Sequence, residues 1–205
     1  LKVRQHPEFG PYVEGLSQLV IENYINIKHI IDRGNKTRAV ASTLMNSRSS
    51  RSHAIITVYF TQIINDPELG KPREIVSKIN LVDLAGSERV EISGVTGINF
   101  KEAIMINKSL STLGLVISTL ASKSSIQAGK KSIKKIGKKK SQLLVSDHIP
   151  FRDSVLTWIL KESLGGNSKT FMLANISPSA LHYNETLSTL RYASNAKMII
   201  NTVKI

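Results

Sequence analysis

Two short segments place chemistry-bearing side chains at telling spacing. In Leu81-Val82-Asp83-Leu84-Ala85-Gly86-Ser87-Glu88, an apolar run delivers an aspartate at its end and a glycine follows three residues later. A strand-end carboxylate is a hard oxygen donor that can hold Mg²⁺ through water. A glycine N–H can approach a terminal phosphate because no Cβ intervenes. A strand closing in an Asx turn has the same appearance. The second segment, Met45-Asn46-Ser47-Arg48-Ser49-Ser50-Arg51-Ser52-His53, clusters hydroxyls and guanidinium groups. Hydroxyls ligate Mg²⁺ or bond phosphate oxygens, and Arg pairs with carboxylates. A plain polar loop, or an Arg-Ser kinase target, reads the same way. His53 alone reads best as a satisfied imidazole.

These residues need a mixed α/β frame to position them. An extended segment is expected around Tyr12-Val13-Glu14, after turns at Pro7 and Pro11. A helix is expected over 24–33, with Ile27, Ile30 and Ile31 on one face and Gly34 as its stop. Strands at 54–64 and 74–84 are rich in β-branched and aromatic residues, and the turn 65–72 makes them a hairpin. Residues 83–97 read as a loop. A helix follows over 101–121, with Ile106, Leu110, Leu113, Ile117 and Leu120 at helical steps. Residues 122–146 read as a solvated loop too charged to pack. A helix over 153–164 ends at Gly165-Gly166, a strand spans 169–176, and a last helix spans 185–199 with Asn184 as N-cap.

Composition narrows the chemistry. The chain has 205 residues, 41% of them hydrophobic and 21% charged, which suits a packed core. It has no cysteine, so disulfides, thiolate metal sites and thiol catalysis are excluded. No apolar run approaches ~18 residues, so no membrane-spanning helix is expected. The first residues, Leu1 to Pro7, form neither a signal peptide nor an initiator-Met start, so an incomplete chain is expected.

The net charge is +13, and a polyanionic partner is implied. Ala103 to Ser146 contains no Asp or Glu. It holds Lys123, Lys130, Lys131, Lys134, Lys135, Lys138, Lys139 and Lys140, without which the chain carries only +5. Nucleic acid is one partner class, since phosphate contacts need only Lys and Arg. But residues 122–146 hold no aromatic for base stacking, and no zinc ligands or RNA-binding signature appear. No specific nucleic-acid function is therefore expected.

The same chain also carries Asn107-Lys108-Ser109-Leu110, His148-Ile149-Pro150-Phe151-Arg152-Asp153-Ser154, Leu164-Gly165-Gly166-Asn167-Ser168 and Leu187-Ser188-Thr189-Leu190-Arg191-Tyr192-Ala193. With the first two segments, these resemble the C-terminal part of a kinesin motor domain, in order and across essentially the whole chain. Gly10-Pro11-Tyr12-Val13-Glu14, Thr157-Trp158-Ile159-Leu160 and the lysine loop resemble the kinesin-three class of vesicle transporters. Thr96 and Asn99 stand where that class usually has basic residues.

The resemblance implies a partial P-loop NTPase fold, a mixed sheet flanked by helices, over 1–199, with a neck linker starting at 200–205. Switch I would be 46–53 and switch II 83–88. It implies ATP and Mg²⁺ as cofactors. Ser50 would sit on the Mg²⁺ and Ser49 near the terminal phosphate, with Asn46 beside them. Asp83 would hold the Mg²⁺ shell through water, and Gly86 N–H would sense the γ-phosphate. Arg51 and Glu88 would close the switches as a salt bridge. The partner implied is the microtubule, including acidic tubulin tails. Lys108, Lys130, Lys131, Lys134, Lys135, Lys138, Lys139, Lys140, His148, Arg152 and Lys161 would face it, and the location would be the cytoplasmic cytoskeleton. The family's phosphate cradle, Gly-x-x-x-x-Gly-Lys-Ser/Thr, does not occur in this sequence. The chain alone is therefore expected to be inactive, its function being to complete a motor. A non-catalytic microtubule-binding remnant is the alternative.

Overall fold

The N-terminal residues build a small hairpin, with Pro7 and Glu8 in a turn. In the computed structural model, β1 (Lys2–His6) pairs antiparallel with β2 (Gly10–Glu14), with Val3 opposite Val13. Pro11 lies within β2 and not in a turn, and β1 lay outside the expected elements. The structure describes residues 1–8, 10–40, 52–65, 70–87, 98–133 and 148–203. They form two units, Leu1–Gln18 with Ser87–Ile205, and Leu19–Gly86.

In the Leu19–Gly86 unit, α1 runs Tyr24–Val40. Gly34 does not stop it, because its φ is not positive and a helix tolerates a single glycine at modest cost. Thr37 Oγ1 donates to Arg33 O at 3.1 Å, and the helix carries on to place Arg38 in its last turn. The expected hairpin is present: β3 (Ala54–Asn65) pairs in unbroken antiparallel register with β4 (Pro72–Asp83), from Ala54 opposite Asp83 to Asn65 opposite Pro72. Gly70, at φ 61°, supplies the left-handed residue leading into β4. β3 is largely apolar along its length, the pattern of a strand covered on two faces, while β4 interleaves Ile75, Val76, Ile79, Leu81 and Val82 with polar and charged residues. Yet Tyr59, Ile63, Val76 and Leu81 are all more than half exposed.

The other unit is organised by α2 (Ile98–Ile133), whose 36 residues exceed the expected helix at both ends. Lys, Gln and Ala favour helix without needing a packed face, so the charged stretch extends the helix where a loop was expected at 122–133. Ser122 and Ser125 hydroxyls donate to carbonyls four residues back. Residues 134–146 of the expected loop lie outside the described residues. One face of α2 carries the core, with Leu113, Val116, Ile117, Leu120 and Ala121 buried alongside Leu156 and Leu160. The segment Ile104–Ile126 is long and apolar enough to cross a membrane by length and composition, contrary to the sequence expectation. A third of its most apolar window is buried within the protein.

The expected helix over 153–164 is instead three short pieces: a 3₁₀ turn Phe151–Asp153, α3 (Val155–Ile159) and a 3₁₀ turn Lys161–Ser163. Ser154 interrupts it at φ −140° and caps α3 by accepting from Thr157 N–H at 3.1 Å. After this, Gly166 sits so close to the chain that an added Cβ would lie 2.7 Å from Glu162 O. The last helix, α4, spans Tyr183–Lys197, so Asn184 lies inside it. Ser179 caps the 3₁₀ turn Ala180–His182 that leads in, accepting from Leu181 N–H. Against α2, α4 sets the Tyr192 ring over Gly114, where a Cβ would meet the ring at 3.4 Å. Burial pushes the Tyr192 phenol well above its ordinary pKa.

The expected strand 169–176 forms no ladder. It has no paired neighbour among the described residues, and Phe171 and Leu173 are 80% and 89% exposed. A mixed sheet is likewise not formed among them: the described strands make two antiparallel pairs.

Candidate functional site

Asp83 is the last residue of β4, as the sequence placed it, with Ala85 and Gly86 in the irregular segment beyond. Register brings it opposite Ala54, so it lies beside the segment that enters β3 from 52–53. The longer α1 then supplies a cation that sequence reasoning missed. Arg38 Nη1 donates to Asp83 Oδ2 at 2.6 Å. Its Nε donates to Ser52 Oγ at 3.0 Å, and Nη2 donates to Ser52 O. The planar guanidinium fork suits this triple task, which a lysine could not reproduce. The Arg38 side chain is 15% exposed and that of Asp83 70% exposed. Arg38 thus ties the strand-end carboxylate to the end of the hydroxyl-rich segment.

His53 completes the cluster. Its Nδ1 accepts the Ala85 N–H at 3.0 Å, so it is the satisfied imidazole the sequence suggested. That bond requires a neutral ring with its proton elsewhere. Burial holds the His53 pKa below its ordinary value; the Arg38 charge adds to this and Asp83 opposes it. The sign for stability follows. The unfolded chain binds the proton more readily, so stability rises with pH. The His53 contribution is complete above about pH 6.5 and is lost as pH falls through the lower native value. Denaturation midpoints measured between pH 5 and 7.5 are expected to climb more steeply for the native chain than for His53→Asn. Parallel profiles would remove His53 from this role.

The residue types fit a Mg²⁺–phosphate group in part. Asp83 offers a hard oxygen donor that stays largely exposed although Arg38 occupies one oxygen. Asn46, Ser49, Ser50, Arg51 and Glu88 lie outside the described residues, so the expected Arg51–Glu88 bridge does too. The phosphate-cradle motif is absent from the sequence.

The basic candidates distribute over the other unit. Lys108 is exposed on α2, and Lys130 and Lys131 fall in its last turn. Lys134, Lys135, Lys138, Lys139 and Lys140 lie outside the described residues. His148, Arg152 and Lys161 are exposed, Arg152 and Lys161 on the two 3₁₀ turns that bracket α3. Beyond α4, the backbone is pinned by Asn201. Its Oδ1 accepts the Gly165 N–H at 2.8 Å, and its Nδ2 donates to Ser168 Oγ and Thr170 Oγ1 at 3.1 Å each. Thr202 N–H adds a bond to Gly166 O. The start of the expected neck linker is thereby held against the Gly165–Thr170 loop.

The kinesin motor domain family model matches residues 1–199. Kinesin-like protein KIF1B of Rattus norvegicus is 54% identical over 199 residues, covering 97% of this chain and 10% of that protein. Kinesin-like protein KIF16B of Homo sapiens is 56% identical over 201 residues, covering 98% of this chain and 14% of that protein. Both are kinesin-3 members, in line with the subclass resemblance. A solved structure of a KIF14 dimer with AMP-PNP in complex with a microtubule superposes with a TM-score of 0.82 at 48% identity, covering all of this chain and 51% of that one. A fast kinesin superposes at 0.76 with 42% identity and the same coverage. The chain thus spans about half of these solved motors and a small part of the curated relatives.

Proposed function

The chain belongs to the kinesin motor domain family, and from that premise we propose that it forms the switch-bearing, track-binding portion of an ATP-driven microtubule motor. The observation that carries this reading is the Arg38 tether between Asp83 and Ser52. It joins the two segments that in this reading would together sense a terminal phosphate, so a change at one would reach the other. ATP with Mg²⁺ supplies the γ-phosphate chemistry when bound. Asp83 would hold the hydrated metal, Ser50 would ligate it, Ser49 and Gly86 would meet the terminal phosphate, with Asn46 beside them. Arg51 with Glu88 would close the site. Such sites work through positioning and electrostatics. Loss of that phosphate would free the switch segments, and α2 would carry the change to the segment held by Asn201.

The exposed apolar faces of β3 and β4, and the unpaired 169–176 stretch, support a further part of this reading. In this reading they are surfaces that the rest of a motor domain would cover. Lys108, the loop lysines, His148, Arg152 and Lys161 form the microtubule face, and the protein works in the cytoplasm on that polymer. The missing cradle motif favours one second reading, a microtubule binder without nucleotide chemistry.

Competition separates both from nonspecific charge binding. With microtubules and excess duplex DNA at physiological salt, the chain should remain with the microtubules. Changing Lys130, Lys131, Lys134, Lys135, Lys138, Lys139 and Lys140 to Ala should weaken microtubule affinity on the order of tenfold at low salt, where exposed charges act at longest range. Unchanged affinity at low salt would remove the lysine loop from the interface.

A further inference from the structure

Arg152 stands on a 3₁₀ turn of three residues, and an exposed arginine on so short a turn has many rotamers to lose on binding. One contact restricts it. Its guanidinium carbon lies 5.3 Å from the centre of the Trp158 ring, within cation–π range. The indole is fixed in turn, because Trp158 Nε1 donates to Gln5 Oε1 of β1 at 3.3 Å. The turn itself is braced from below. Thr157 is fully buried, and its hydroxyl donates to Phe151 O at 2.7 Å. Neighbouring residues of one short helix therefore hold the backbone and the side chain of Arg152.

We propose that Trp158 is a positioning residue for microtubule binding, presenting the Arg152 guanidinium to the acidic surface of the polymer in a pre-set orientation. The inference rests on the microtubule reading above and adds to it a residue that does not itself touch the track. The ring holds the cation over its face, and Gln5 keeps the ring from turning. Affinity gained this way comes from rotamer freedom already lost before binding.

Microtubule affinity of the 205-residue chain and its variants, measured by co-sedimentation with a microtubule-free control, tests it. Arg152→Ala and Trp158→Leu should each weaken binding about two- to fivefold. Trp158→Phe, which keeps a π-face, should stay within about twofold of the native chain. The double variant Arg152→Ala/Trp158→Leu should be no weaker than Arg152→Ala alone, since the ring acts only through the arginine. Additive losses in the double variant, or native affinity for Trp158→Leu beside a weakened Arg152→Ala, overturn the proposal. Native affinity for Arg152→Ala overturns the assignment of Arg152 to the microtubule face, and this proposal with it. If Trp158→Leu does not fold, the pairing is still open to test, because Trp158 is the only tryptophan in the chain. Arg152→Ala should then alter its fluorescence and Lys161→Ala should not; no change with Arg152→Ala sinks the proposal.

Discussion

ATP turnover by the 205-residue chain alone should stay at background, with microtubules or without. The reason is specific. Phosphoryl transfer depends on groups that clamp the phosphates, and loss of such charge stabilisation costs on the order of 10³-fold or more. The chain has Asp83 and Gly86, but no Gly-x-x-x-x-Gly-Lys-Ser/Thr. Gly10 and Gly15 have the glycine spacing, yet Leu16 follows where the lysine belongs. Gly10 opens β2 and Gly15 follows it, and neither opens a helix. A Cβ on Gly10 would lie 3.3 Å from the Glu162 side chain, so a carboxylate borders the place a phosphate would need. Steady-state hydrolysis assayed with and without microtubules checks this. Robust stimulated turnover would mean that the chain cradles phosphate by other residues.

Arg38→Ala should destabilise the Leu19–Gly86 unit by about 1–3 kcal/mol, the range for a charged donor with several bonds. The Coulomb part is the smaller share, because Asp83 is largely exposed and surface pairs contribute little. The larger share is the loss of both Ser52 bonds from a guanidinium that is mostly covered. Arg38→Lys keeps the charge and loses the fork, so it should fall between the two. The substitution has a second signature. Arg38 helps hold the His53 pKa down, so Arg38→Ala should move the His53 titration upward. Denaturant unfolding and proton NMR of the imidazole measure the two effects. A stability within about 0.5 kcal/mol of native, the range of ordinary surface changes, together with an unmoved titration, would show that the tether is incidental.

The sequence disclosed the hairpin, the strand-end position of Asp83 and the family, because each rests on local pattern. β-branched runs around a Pro/Gly turn admit few alternatives, and motifs in order carry a family without any geometry. It did not disclose Arg38. Gly34 was read as a helix end, and only backbone angles show that it is an ordinary helical residue. The ends of α2 were missed for a related reason: a lysine-rich stretch looks unable to pack, but helix needs no packing to propagate from a buried neighbour. The three-part break around Ser154 was hidden because 153–164 holds no Pro or Gly to mark it. The stretch 169–176 has strand composition, but a strand exists only beside a partner, and pairing cannot be read from one segment. His53 was legible as satisfied, while its donor, the Ala85 N–H, was not.

The most direct test of the motor reading is co-sedimentation of the chain with microtubules in the presence of excess duplex DNA at physiological salt. The account predicts that the chain stays on the microtubules and that the seven-lysine variant loses affinity most at low salt. A chain that DNA strips from the microtubules would contradict it, leaving a basic surface with no preference for the polymer.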